Sequence, residues 1–179
     1  MTIALSITEI GALTAIRSFL LGCLPAGTEV VHGQDNRVAM PTGDFVTMTP
    51  ILRTRLAMNV DNWVLSDPAA VTKTIETDTR LDVQLDVYSN LYASENAQLI
   101  AMLFRDQYAV DALQVAGFDI APLYCSDPRQ MVFTNAESQY ESRWSIDISV
   151  QINPVATVPQ QFANSVAIVK IDVEAAYSP

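Results

Sequence analysis

A single histidine, His32, and two cysteines, Cys23 and Cys125, are all that the 179 residues offer for imidazole and thiol chemistry. Without a second histidine, HExxH zinc sites and multi-histidine clusters are excluded. A Ser-His-Asp triad would have to recruit His32 from a turn, and the chain has no GxSxG elbow. A surface turn histidine is the simpler reading. The cysteines lie far apart, which excludes a CxxC motif and a disulfide-rich framework. Their neighbours, LLGCLP and PLYCS, are apolar, so both read as buried free thiols in a reducing compartment. Pairing either with His32 finds no support in those surroundings. Glycine is also scarce, at six residues, and neither GxxxxGK[ST] nor GxGxxG occurs. Loops that cradle phosphate are thereby excluded.

Positive charge is the next shortage. Ten Lys and Arg stand against 20 Asp and Glu, for a net charge of −10 and a pI near 4.3. The bases are scattered, with Arg53 and Arg55 the closest pair. A nucleic-acid-binding surface needs them clustered. Charged residues make up only 17% of the chain, below the usual quarter or so. Less charged surface hints at extensive subunit contact. No apolar run is long enough for a membrane span, and MTIALSITEI has no basic leader region. The expectation is a soluble intracellular product.

Half of the residues are hydrophobic, enough to build one domain with a substantial core. Ser6-Ile-Thr-Glu9 has the spacing of a capping box. Behind it Ile10, Leu13, Ile16, Phe19, Leu20 and Leu24 recur at helical spacing, which predicts a helix over roughly 7–23 with Gly11 and Gly22 as weak points. Glu29–Val31 reads as a short strand, followed by a turn-rich segment to Asp44. Phe45–Thr49 reads as a second strand ended by Pro50, with extended chain over 51–60. Asn59–Ala70, with Asp61-Asn62-Trp63 and Asp67-Pro68, reads as a long hairpin loop. Val71–Ser89 is too long for one ordinary strand, so a bend is expected near Thr77–Thr79, or an arm projecting over about 59–80. Ser94 is placed to cap a second helix, with an apolar stripe running from Leu99 to Val115 and a stop at Gly117. A loop with Pro122 and Asp127-Pro128 follows, then a short Met131–Phe133 segment. Arg143–Ile152 and Ser165–Val173 read as strands.

The clearest pattern is RLDVQLDVYS, Arg80–Ser89. Leu81, Val83, Leu85 and Val87 share one face; Arg80, Asp82, Gln84 and Asp86 share the other. Arg143–Ile152 alternates in the same way and puts Asp147 on its polar side. Strands with one dry and one wet face belong to an antiparallel sheet solvated on one side. The fold class is therefore α+β: a single domain over 1–179 with a mostly antiparallel twisted sheet and two main helices packed on one face.

Three carboxylates on a strand face could hold a hard cation. Asp82 and Asp86 are about 13 Å apart along an extended strand, too far to share an ion ligated at roughly 2.3–2.6 Å. Wetting a face is the simpler role, and neither a metal nor a cofactor is expected. Trp63, in a loop rich in Asp and Asn, either anchors a contact or folds back on the core.

Several segments together resemble the tail or neck terminator proteins of long-tailed bacteriophages. HGQDNRVAMPTGDFVTMTPI (His32–Ile51) carries a Gly-x-x-Asn-Arg-x-x-x-Pro-x-Gly pattern before a strand. LYCSDPRQMVF (Leu123–Phe133), QYESRWSIDISVQINP (Gln139–Pro154) and VPQQFANSVAI (Val158–Ile168) follow in the family's order. The resemblance runs from roughly residue 10 to 175; Asn59–Lys73 has no counterpart. It implies a compact α+β virion protein with no catalytic residues, whose copies close into a hexameric ring on the tail tube. Such a ring ends tube polymerisation and receives the head connector or stopper, with the sheath as a further neighbour.

On that reading Asp82, Asp86 and Asp147 are candidates for the wall of a channel that DNA traverses without specific binding. Trp63, Asp61, Lys73, Arg53 and Arg55 are candidates for contact with a neighbouring subunit or the tube. The protein would be made in the host cytoplasm and reside at the top of the tail. Three other readings stay open: another head- or tail-completion ring protein, a small hydrolase using an acidic pair, and a generic acidic binding module.

Overall fold

The computed structural model describes residues 3–34, 41–67, 70–115, 117, 119–134 and 140–160. The strand read at Ser165–Val173 and part of the turn-rich segment after His32 lie outside these residues.

The first helix, α1, spans Glu9–Cys23. Its cap is Thr8, whose hydroxyl accepts the Gly11 N–H at 3.1 Å, and not Ser6 as the capping-box spacing suggests. Ser6 is committed elsewhere: its N–H donates to the Val155 carbonyl, and its hydroxyl accepts the Val155 N–H, both at 2.9 Å. A cap spacing in sequence thus lost to a tertiary partner. β1 (Glu29–His32) lies parallel to β2 (Phe45–Arg55). Gly33 then passes so close to β2 that a Cβ would run into the Thr49 hydroxyl.

β2 does not stop at Pro50. Its ladder with β5 (Thr79–Tyr88) shifts register between Pro50 and Leu52 and continues to Arg55. A bulge tolerates the missing N–H, which is why the strand survives the proline. The helix expected over the second apolar stripe is two helices, α2 (Ala93–Phe104) and α3 (Gln107–Val115). The break is at Arg105-Asp106, where the Asp106 carboxylate accepts the Tyr108 N–H at 3.0 Å and starts α3. Ser94 does not cap α2; the Ser89 hydroxyl instead accepts the N–H groups of Leu91 and Tyr92 just before it. Among the described residues three helices, not two, therefore cover the sheet.

Beyond them, β6 (Ile120–Cys125) replaces the loop expected around Pro122, again with a register shift at the proline. β7 (Arg129–Thr134) continues along the same edge of β8 (Tyr140–Ile152). The main sheet runs β1-β2-β5-β8-β6, with β7 beside β6 on β8. Leu81, Val83, Leu85 and Val87 of β5 pair across to Val150, Ile148, Ile146 and Trp144 of β8. With Val46 and Met48 they form the dry face under the helices. Arg17 Nε on α1 donates to the Val30 carbonyl at 3.0 Å, and Arg105 Nη2 at the end of α2 donates to the Cys125 carbonyl at 2.9 Å. The helix layer is thus tied to both ends of the sheet.

The segment 59–70 is not a loop. β3 (Val60–Asp67) pairs with β4 (Ala70–Glu76), and β4 pairs with β9 (Val155–Gln160). The order of this second sheet, β3-β4-β9, repeats the order β2-β5-β8 of the strands that lead into it. It is a three-stranded arm made by continuing three neighbouring strands past a common break. Thr79 pairs with Ile152 and Glu76 with Val155, so residues 77–78 face 153–154 without slippage. On the other side Arg55 pairs with Thr79 and Val60 with Glu76, leaving 56–59 as a longer bulge. Hydrogen bonds from Leu56 N–H to the Asp78 carbonyl and from Thr77 N–H to the Pro154 carbonyl bridge the break.

Candidate interaction surface

The arm gathers three of the residues that the sequence singles out. Trp63 and Lys73 are directly opposed on β3 and β4. The Lys73 ammonium lies 5.4 Å from the Trp63 ring centroid and 2.7 Å from an Asp61 carboxylate oxygen. Even so, 56% of Trp63 stays exposed. An exposed cation–π contact is worth ~0.5–1 kcal/mol and a surface ion pair about the same or less. Neither offsets leaving that much indole in water. The cluster orients Trp63; it does not bury it. Leu56, Met58, Val60 and Val64 are exposed beside it.

Arg53 and Arg55 stand on the last turn of β2, before the break and apart from that cluster. Arg53 reaches the α1 carboxylate of Glu9 at 3.2 Å. β1 pairs with β2 only as far as Met48. Among the described residues, the outer edge of the chain from Thr49 through β3 carries no partner strand.

The polar face of the main sheet holds the other three. Each carboxylate has its own arginine. Asp82 pairs with Arg80 at 2.8 Å and accepts the Ser149 hydroxyl. Asp147 pairs with Arg129 at 2.7 Å. Asp86 pairs with Arg143 at 2.7 Å and accepts a bifurcated hydrogen bond from the Gln84 amide nitrogen, 3.0 Å from each oxygen. Asp86 is only 4% exposed, so the row does not simply wet a surface: its third acid belongs to a buried network. The Arg143 guanidinium also lies 5.7 Å over the Tyr88 ring, which stacks on Phe45 at 4.4 Å. The Asp86 hydrogen bond holds the Arg143 pKa above its usual value. Burial raises that of Tyr88, with Arg143 opposing.

Asp82, Asp86 and Asp147 are each paired with a guanidinium and do not form a row of bare acids. Among the described residues no group of three or more His, Cys, Asp or Glu is placed to hold a metal. A cavity of about 620 Å³ between the α2–α3 corner and β6, bordered by Arg105, Tyr124 and Asp127, includes none of the three carboxylates. Sequence reading missed Arg129 and Arg143 as partners, because pairing across strands is invisible without register.

Both thiols are free, and burial pushes each up to about 11. At Cys125 the Arg105 charge partly opposes that rise. At pH 8 both should react with a thiol-selective disulfide reagent at least ~10-fold more slowly in the native protein than in urea, because the thiolate is the reactive form. Unfolded thiols ionise near pH 8.5, while the folded ones hold their protons to about 11. Stability should therefore fall as pH rises through that window. Fast native modification would show that the thiols are open to solvent.

A family model described as phage neck terminator protein matches residues 12–175. The chain belongs to the phage neck terminator family. This neck terminator is a structural protein of the virion. The cryo-EM structure of the sheath/tube terminator of an extracellular contractile injection system, PVC, in the extended state is similar at 10% identity and a TM-score of 0.45. The match covers 93% of the neck terminator but 63% of that longer chain. No curated protein sequence matches it. No helix among its described residues is long and apolar enough to cross a membrane.

Proposed function

We propose that this neck terminator works without catalysis, as a ring of copies, six in number, that caps the tail tube. The ring ends tube polymerisation and offers its other surface to the head connector or stopper, with the sheath as a lateral neighbour. The chain is made in the host cytoplasm and incorporated at the neck.

The observation that carries this reading is the arm: a three-stranded sheet with Trp63 held upright by Lys73 and Asp61 and left exposed. An aromatic fixed in place yet uncovered is an anchor waiting for a surface. The polar face with Asp82, Asp86 and Asp147 is our choice for the channel wall. Among the described residues its three arginines, Arg80, Arg129 and Arg143, are each engaged by a carboxylate, which weakens their pull on phosphate. Six copies multiply a net charge of −10, which favours sliding of a polyanion over binding.

Trp63→Ala should leave the fold nearly unchanged, within about 1 kcal/mol, as exposed side chains do. It should reduce capping of purified tail tubes at least ~10-fold, counted by electron microscopy, since a central aromatic anchor carries ~2 kcal/mol or more of a contact. Tubes that terminate at normal length with the variant would remove the arm from the function.

A further inference from the structure

The indole of Trp63 is held in place but not covered, and it has a polar need as well as an apolar one. No acceptor among the described residues takes its ring N–H, and a buried tryptophan normally finds one. The cavity between the α2–α3 corner and β6 answers both needs. Its border is apolar at Val110, Pro122, Leu123 and Tyr124, of which Leu123 and Tyr124 are exposed. Arg105 donates in the plane of its guanidinium, from Nε and Nη2 to the Cys125 carbonyl and from Nη2 to Asp127 Oδ1. Those bonds fix the plane and leave its faces for an aromatic ring to stack on. The Asp127 side chain is 90% exposed, so its second oxygen can accept an indole N–H. At about 620 Å³ the space takes an indole and the side chains beside it.

We propose that Trp63 of one copy inserts into this cavity of the next. The inference rests on the reading of the protein as a ring of copies and names the surface that receives the arm. Charge selects this occupant. Two chains of −10 each repel one another, so copies meet only where charge is locally matched. Lys73 travels with Trp63. Arg105, Asp106 and Asp127 leave the cavity border with one negative charge in excess, so the ammonium arrives beside acids. Anchor and receptor are both present on this chain, and no other protein's surface is needed to complete the fit.

Geometry excludes the same contact within one chain. Trp63 opposes Lys73, and Lys73 opposes Val158. Tyr124, at the cavity, pairs with Ser149. Val158 and Ser149 are about nine residues apart along β9 and β8, roughly 30 Å of extended chain. The two also lie on opposite sides of the sheet: β3 continues the β2 side of the ladder, and β6 lies beyond β8. Trp63, fixed on its strand, cannot reach the cavity of its own chain, whereas a neighbouring copy imposes no such limit. A contact of one surface with a different surface of the next copy is heterologous, the kind that closes into rings.

Native mass of the full-length chain, alone and with purified tail tubes, tests this with two variants. Trp63→Ala removes the anchor and keeps the cavity. Leu123→Arg blocks the cavity at an exposed position and keeps the anchor. Circular dichroism checks that it folds, and Tyr124→Ala, the truncation of an exposed side chain, takes its place if it does not. Each variant alone should assemble at least ~10-fold more weakly than the unaltered chain. Mixed, the two should give a one-to-one dimer and nothing larger, because the pair retains a single anchor and a single receptor that fit. Normal rings from the cavity variant, or no dimer in the mixture, would overturn the insertion and leave the ring standing. Rings from Trp63→Ala would overturn it too, and a loss of capping by those rings would assign the anchor to the tube. An unaltered chain that stays monomeric with and without tubes would sink the ring reading as well.

Discussion

Phe19→Ala should cost about 4 kcal/mol, the largest effect of any single truncation considered for this chain. Phe19 is buried on α1 and meets both other helices. Its ring is edge-on to Phe104 of α2 at 5.6 Å and tilted against Tyr108 of α3 at 6.1 Å. Tyr108 comes this near because Gly22, one turn along α1, has no side chain: a Cβ there would lie 3.2 Å from the Tyr108 hydroxyl. The three helices share this one aromatic junction, so no single neighbour can move in to fill the gap. Aromatic pairs add ~0.5–1.5 kcal/mol each beyond area burial, which places the loss toward the upper end of the usual range for Phe→Ala. Domains of this size are stable by about 5–15 kcal/mol, so the variant should be near its limit at 37 °C. Phe19→Leu keeps most of the volume and should lose about 1.5 kcal/mol or less. Urea unfolding followed by circular dichroism separates the two. If Phe19→Ala lost under 1.5 kcal/mol, the helix layer would be repacking and the junction would not be shared.

Elements with one dry and one wet face could be read directly from the chain. β5 and the second half of β8 alternate because the helices cover one side and not the other. α1 shows its stripe for the same reason. Where burial is similar on both faces, the pattern vanishes. Every described side chain from Ile51 to Val64 is exposed, so β3 shows no alternation, and its Asp and Asn residues imitate a loop. The break between α2 and α3 is hidden because the apolar stripe continues through it; only the carboxylate of Asp106, turned to the Tyr108 N–H, marks it. Prolines misled twice, at Pro50 and Pro122, since each sits at a shift in register that makes its missing donor harmless. The site shows the same division. Trp63, Asp61 and Lys73 stand out as residue types, but that Lys73 faces Trp63 follows only from the register of β3 on β4. The arginines that neutralise Asp86 and Asp147 come from β8 and β7, across the sheet.

Of the three acids on the polar face, Asp86 alone should matter greatly to stability, and its replacement by Ala should cost about 3 kcal/mol. Removing one member of a buried pair leaves the other charge without its partner, at ~3–5 kcal/mol. The Arg143 side chain retains 22% of its exposure, so water can recover part of the loss, and the lower end applies. Gln84 would lose its acceptor as well. Asp82 and Asp147 are different. Their arginines, Arg80 and Arg129, are 42% and 52% exposed, so those pairs behave as surface pairs worth about 0–1 kcal/mol. Asp82→Ala and Asp147→Ala should each cost about 1 kcal/mol or less. If the row served only to wet a face, all three replacements would be equally mild, so the difference between Asp86 and the other two decides the matter. Replacing both partners, Asp86→Leu with Arg143→Met, should recover most of the stability lost by Asp86→Ala, because an apolar pair has no charge to strand. A double variant as unstable as Asp86→Ala alone would mean that the cost comes from packing against Tyr88 and not from the unpaired guanidinium.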